Sequence, residues 1–319
     1  MNILITGIHG FVGSNLTEAF KDKYTLYGVD ITAPAKEGIA RTFSWQDLEN
    51  KKIPPIDIII HLAGKAHDTK NRAQAQTYFD INTGLTQKAF DYFIQSGAGK
   101  FIFFSSVKAA ADFVVGNELT EDVIPTPKGP YGESKIAAEN YIRKTFAESG
   151  TDSSGISGKQ VYILRPCMIH GPGNKGNLNL LYTLIKKGLP WPLGDFENRR
   201  SFTSIDNLCY VIEGLIEKDI SSGIYHMADD EALSTNELIR LMCETTGRHT
   251  SIWKINKRVM KGCASLGSLL HLPLDLERLN KLTENYVVSN AKIKKALGIE
   301  KLPVSAREGL IKTIRSFEL

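Results

Sequence analysis

The chain of 319 residues predicts an α/β fold, a doubly wound parallel sheet joined to a smaller C-terminal α/β part. Three observations predict it. Strand-length apolar runs alternate with helix-length segments through the first half. A glycine-rich turn, Gly7-Ile8-His9-Gly10-Phe11-Val12-Gly13, follows the first run directly. After Pro166 the alternation loosens while helical segments continue.

The elements follow in order. Asn2–Thr6 is a short apolar run that stops at glycine, 11–20 forms a helix, and Thr25–Val29 is a second strand. Residues 57–62 make the next clear strand, entered through Pro54-Pro55. Residues 72–96 read as a long helix with Gly84 as its weak point. Then come a strand over 100–105, a helix over 131–148, and a strand over 161–165 that Pro166 stops. The Gly- and Ser-rich stretch 149–158 reads as an exposed loop. Capping boxes open two later helices, Ser234 with Glu237 and Ser305 with Glu308.

Composition removes several classes of function. Hydrophobic residues at 42% and charged residues at 23% describe a globular chain, not a disordered one. A net charge of +4 gives no reason to expect nucleic acid as a partner. The four cysteines show no CxxC spacing, so neither a zinc site nor a disulfide framework is expected, and no metal. No apolar run reaches the roughly 18–20 residues that span a bilayer. The first residues, Met1-Asn2-Ile3-Leu4-Ile5-Thr6, lack the pattern of a signal peptide, and a cytoplasmic enzyme is expected.

The glycine turn has the context of a phosphate cradle, because it leaves a strand and opens a helix. Gly7 permits the sharp turn, Gly10 the approach of a pyrophosphate, and Gly13 close packing of helix on sheet. Phe11 and Val12 begin the helix, whose N-terminal amides favour an anion. Asp30 ends the second strand, seventeen residues after Gly13. A carboxylate there accepts from ribose hydroxyls and repels a 2′-phosphate, which favours NAD over NADP. Asp47 and Leu48 are weaker candidates for flanking the adenine.

Tyr131 and Lys135 are four apart on the expected helix and so share a face. A nearby ammonium, and an oxidised nicotinamide that is also cationic, favour the phenolate and lower the tyrosine pKa from about 10. Such a tyrosine exchanges a proton with a sugar hydroxyl. Upstream, the strand over 100–105 runs into Ser105-Ser106 at the carboxyl edge of the sheet, where ligands of this fold bind.

These motifs together resemble the extended short-chain dehydrogenase/reductases, in particular the nucleotide-sugar epimerase/dehydratase group with its Rossmann domain. The resemblance covers nearly the whole chain. It includes Gly7–Gly13, Asp30, His61-Leu62-Ala63-Gly64, Asn82, Ser105-Ser106, Tyr131/Lys135 and Arg165-Pro166. It implies that Ser106, Tyr131 and Lys135 form the catalytic triad, and that Ser106 rather than Ser105 is its serine. It implies that Leu62, Ala63 and Gly64 pass the cofactor, with Asn82 near the active site and Lys135 on the nicotinamide ribose. In the second half it implies that Asn174 or Asn177 meets the nucleotide phosphates, that Leu189–Gly194 covers the base, and that Arg200 meets the pyrophosphate. The implied division is an NAD-binding Rossmann domain in 1–166 plus about 201–225, and a substrate domain in about 167–200 and 226–319. A homodimer is a further possibility of the resemblance.

Two departures narrow the activity. Dehydratases of the group carry Asp-Glu after the catalytic hydroxyl, where this chain has Val107-Lys108. Ala109-Ala110-Ala111 replaces the Val-Tyr-Gly of many epimerases. The expected activity is 4-epimerisation of a UDP-hexose or UDP-N-acetylhexosamine through a 4-keto intermediate. The alternative is a 4-keto reductase making a 6-deoxy amino sugar nucleotide for surface polysaccharide. A non-catalytic NAD-binding sensor is disfavoured by the intact Ser106, Tyr131 and Lys135.

Overall fold

The computed structural model describes residues 1–66, 74–149, 158–174, 176–270 and 276–318. Seven parallel strands form the main sheet. They are β1 (Asn2–Thr6), β2 (Thr25–Val29), β3 (Arg41–Phe43), β4 (Ile58–His61), β5 (Lys100–Phe104), β6 (Gln160–Pro166) and β9 (Gly223–Met227). Between the last two lie β7 (Met168–His170) and β8 (Phe202–Ser204), which pair with each other in a separate sheet. The main order is β3-β2-β1-β4-β5-β6-β9. The chain therefore reverses its direction of travel between β1 and β4, and the crevice beyond their carboxyl ends is the ligand position of such sheets.

The strands are apolar throughout because both faces are covered. Ile3, Ile5, Ile58, Ile60, Ile102 and Leu164 point into one core, which the Phe11–Phe20 and Ile205–Glu217 helices close. Leu4, Ile59, Phe101, Phe103, Val161 and Ile163 point into the other, closed by the Leu85–Gln95 and Gly129–Glu148 helices. The period of two puts neighbours on opposite faces, so a continuous apolar run is what a doubly wound sheet demands. A third core, around Tyr182, Trp191, Leu238, Met242, Leu310 and Ile314, lies among helices of the second half.

Several local expectations are revised. The segment 201–225 returns to the main sheet only at its end, through β9, while β8 pairs with β7. The long helix is interrupted. Ala75–Tyr78 and Leu85–Gln95 are α-helical, and Phe79–Gly84 between them is a π-turn ending at the weak point, Gly84. Its expected beginning at 72 lies outside the described residues, as does most of the loop expected over 149–158. Both expected capping boxes are present, and Ser44 with Asp47 makes a third. Among the described residues no helix is long and apolar enough to cross a membrane.

Candidate active site

The turn after β1 is shaped by what its glycines lack. Gly7 has φ +70°, and a Cβ there would sit 2.9 Å from the Ala63 amide nitrogen. A Cβ on Gly13 would sit 2.5 Å from the Gly7 carbonyl oxygen. Turn, first helix and the chain beyond β4 therefore meet backbone to backbone. Gly10 caps the helix without any side-chain bond, and Phe11 and Val12 form its first turn. The first-turn amides are thus left for an anion. Asp30 holds this mouth in shape: its carboxylate accepts from the His9 amide at 3.0 Å and the Ile31 amide at 2.8 Å.

Asp47 and Leu48 have fold roles. The Asp47 carboxylate accepts from the Ser44 hydroxyl at 2.7 Å and amide at 3.1 Å, and these bonds hold it below the usual carboxylate range. The Leu48 side chain is buried in the core.

A polar relay crosses the crevice from β1 through β4 to the helix beyond. The Ala63 amide donates to Thr6 Oγ1 at 3.1 Å, and Thr6 Oγ1 lies 2.6 Å from His61 Nδ1. His61 Nε2 lies 3.0 Å from Thr86 Oγ1, which donates to the Asn82 carbonyl at 2.6 Å. The only consistent proton order puts the imidazole proton on Nε2. Burial, and then the charge of Lys135, push His61 down to about 3, so it stays neutral. The Asn82 side chain, inside the π-turn, accepts from the Lys65 amide at 2.7 Å and donates to Ser134 Oγ at 2.9 Å. A Cβ on Gly64 would sit 2.9 Å from Asn82 Oδ1 and 3.1 Å from Lys135 Nζ. Leu62, Ala63 and Gly64 thus form the floor on which Asn82 and Lys135 converge.

Ser106, Tyr131 and Lys135 come together as expected. Ser106 caps the short Val107–Ala110 helix, its Oγ accepting from the Lys108 amide at 3.2 Å. The same side chain acts on Tyr131, opposing the upward push of burial. Ser105 is turned away, its hydroxyl donating to Glu139. Lys135 is buried, and its Nζ donates to the Phe104 carbonyl at 2.8 Å. Burial pushes the lysine down to about 8, against an opposing pull from Glu139.

The expected lowering of Tyr131 counts both Lys135 and a cationic nicotinamide. Burial holds Tyr131 above its ordinary value, and the Ser106 side chain opposes this.

The residues expected on the substrate side come from the second half. Asn174 is buried, and its side-chain oxygen is tied to the Gly176 amide at 2.7 Å. Its loop reaches the helix that the glycine turn opens, since Asn15 Nδ2 donates to the Pro172 carbonyl at 3.2 Å. Asn177 opens the Asn177–Lys186 helix, and its side chain lies outside the described residues. Trp191 is buried in the third core, within the segment expected over the base. Arg200 is half-buried, with Nη1 donating to the Lys281 carbonyl at 2.7 Å and Nη2 3.9 Å from Glu284. Its guanidinium is therefore partly engaged within the protein.

Sequence reasoning missed the neighbours of Arg200. Tyr286 Oη donates to the Ala111 carbonyl at 2.7 Å, and Lys108 Nζ sits 4.5 Å from the centre of its ring. Lys108, Arg200, Lys281, Asp112 and Glu284 all act electrostatically on this corner. In the sequence Lys108 stands where dehydratases carry a carboxylate, and the others are scattered charges. Among the described residues no cluster of His, Cys, Asp and Glu could hold a metal.

A crevice at the strand-order reversal, a glycine cradle and a Ser-Tyr-Lys group beside it define a dinucleotide-dependent enzyme of the Rossmann type. The NAD dependent epimerase/dehydratase family model matches residues 3–228, and the chain belongs to that family. It is an NAD-dependent enzyme, with NAD as its cofactor. It is similar to the UDP-glucose 4-epimerase of Vibrio cholerae, at 29% identity over 99% of this chain and 95% of that protein. It is also similar to the N-acetyl-alpha-D-glucosaminyl-diphospho-ditrans,octacis-undecaprenol 4-epimerase of Escherichia coli O157:H7, at 25% identity over 92% and 85% of the two. Its fold matches UDP-glucose 4-epimerase of Thermotoga maritima solved with UDP-glucose, with TM-score 0.76 and 22% identity over 100% and 99%.

Proposed function

We propose that the chain is a 4-epimerase of a UDP-hexose or UDP-N-acetylhexosamine. The observation that carries this reading is the convergence of Ser106, Tyr131 and Lys135 beside the glycine cradle. The residues fit NAD, since the glycine turn packs against the chain beyond β4 and leaves the first-turn amides of the Phe11–Phe20 helix uncapped by any side chain. Asp30, fixed by two amides, offers its carboxylate to ribose hydroxyls. When bound, NAD supplies the acceptor and donor for the hydrogen of carbon 4, and its cationic ring adds the positive charge that Tyr131 needs.

The chain's own residues move the proton. Tyr131 takes it from the hydroxyl at carbon 4, Ser106 holds that oxygen, and Tyr131 gives the proton back once the keto sugar has turned over. Lys135 stabilises the phenolate and meets the nicotinamide ribose. Arg200, with Lys108 nearby, faces the pyrophosphate, and Asn174 and Asn177 lie toward the nucleotide. In this reading residues 1–166 plus about 201–225 hold the dinucleotide, and about 167–200 with 226–319 hold the sugar nucleotide. Val107 and Lys108 provide no carboxylate for loss of water.

The test is to purify the protein, denature it, and assay released NAD(H), while incubating native protein with UDP-glucose and UDP-N-acetylglucosamine. Retained cofactor and a C4-inverted product are expected. Protein that arrives empty and consumes NADH with a UDP-4-keto-6-deoxy sugar is a 4-keto reductase using the same three residues, and the epimerase reading falls.

A further inference from the structure

Glu139 lies one helical turn beyond Lys135 and two beyond Tyr131, on the same helix face. Nothing in the sequence motifs singled it out. Its carboxylate accepts from Arg165 Nε at 2.9 Å, from Arg165 Nη2 at 2.6 Å and from the Ser105 hydroxyl. Both ionic side chains are 1% exposed. A buried ion pair is weak evidence for stability, because removing two charges from water costs about as much as their attraction returns. This pair therefore calls for a reason in what it holds.

It holds the active site from behind. Arg165 comes from β6, where Leu164 accepts the Ser105 amide at 2.8 Å. Ser105 precedes Ser106. Lys135 grips the Phe104 carbonyl while Glu139 grips the Ser105 hydroxyl, so two turns of one helix clasp two consecutive residues at the end of β5. We propose that Glu139 is a positioning residue. With Arg165 it fixes Ser106 and Lys135 in register, and its anion keeps the buried Lys135 ammonium charged.

The groups facing Lys135 support this. From β4 comes His61, held neutral by burial. From β5 come the Phe104 carbonyl and the Phe103 ring, its centre 5.1 Å from Nζ. From the π-turn comes the neutral Asn82, and from the lysine's own helix Tyr131 and Glu139. Among the described residues Glu139 is the carboxylate whose charge opposes the burial of Lys135.

The inference rests on the proposed role of Tyr131 and Lys135 in proton exchange. Its test is the paired variant Glu139→Gln/Arg165→Met, which removes both charges and leaves neither stranded. The variant is expected to fold, shown by circular dichroism and a cooperative unfolding transition. Turnover should fall about tenfold or more, with KM for the sugar nucleotide little changed. The alkaline limb of kcat should move to lower pH, because a lysine without its anion releases its proton earlier. Glu139→Asp, which keeps the charge, should retain the parental limb at reduced amplitude. A reduced rate with an unmoved limb in the paired variant makes the pair purely structural and overturns the proposal, as does parental turnover. If the paired variant does not fold, Ser105→Ala cuts the link toward Ser106 without touching either ion. It should lower kcat severalfold, and unchanged kcat overturns the positioning role. Tyr131→Phe separates the two readings. If it is fully active the underlying assignment fails, whereas if it is inactive while the paired variant matches the parent, only the present proposal fails.

Discussion

Replacing Lys135 with methionine should stabilise the protein at neutral pH while it slows the reaction. Burial lowers the lysine from 10.5 to about 8. At 1.36 kcal/mol per unit, carrying this charge into the fold costs roughly 3 kcal/mol. The sign follows from proton counting. Below pH 8 the lysine is protonated in both states and the cost is present in full. Between 8 and 10.5 the native state releases the proton while the unfolded state keeps it, so stability rises with pH. Methionine removes the charge and preserves the unbranched shape, but leaves the Phe104 carbonyl without its donor at 2.8 Å, a loss of about 1–2 kcal/mol. The net gain at pH 7 is therefore about 1–2 kcal/mol, and the gap should close and then reverse toward pH 10. Urea unfolding of cofactor-free parent and variant at pH 7 and pH 10 measures both numbers. A variant less stable than the parent at pH 7, or a gap that does not change with pH, refutes the reasoning.

Three further outcomes are expected. Tyr131→Phe removes one hydroxyl, and Ser106 keeps its bond from the Lys108 amide; turnover should drop by roughly two to four orders of magnitude with stability changed by less than about 1 kcal/mol, checked by steady-state kinetics and thermal unfolding. Asp30→Ser should narrow the preference for NAD(H) over NADP(H), measured by titration of each cofactor, and equal binding by the parent would contradict the carboxylate's role. Arg200→Ala should weaken sugar-nucleotide binding about tenfold or more while leaving NAD binding intact, read by calorimetry with each ligand.

Much of the fold was legible because a doubly wound sheet writes itself locally. Each of β1, β2, β4, β5 and β6 is a single apolar run, and the glycine turn marks where the first strand ends. What escaped is what depends on contacts. β3 is three residues, Arg41–Phe43, at the sheet edge, too short for a pattern of period two to register. The π-turn around Asn82 is one residue wider per turn than an α-helix and leaves the apolar spacing nearly unchanged. Ser106 rather than Ser105 came from family resemblance, and the physical reason, the Ser105 bond to Glu139 34 residues away, is a tertiary fact. The expected lowering of Tyr131 rests on Lys135 and on a cationic nicotinamide. Spacing puts Lys135 on the same face, but it cannot show that the Phe104 carbonyl engages the ammonium.

One helix face therefore carries a graded series: a phenol at Tyr131, a cation at Lys135 and an anion at Glu139. Only the phenol is half-buried, and the two charges lie deeper. Gly132 sets the depth, because a Cβ there would come 2.5 Å from the Lys108 carbonyl oxygen. The helix consequently packs against the segment that Ser106 caps, with no side chain between them. Burial is what makes Lys135 costly, and the same burial strengthens its field at the tyrosine, since charges act at longer reach where water is excluded. In the proposed mechanism, stability lost at this lysine and proton-moving power gained at Tyr131 thus have one physical source. Any substitution that opens this helix to water should raise the lysine toward its ordinary value and weaken catalysis together.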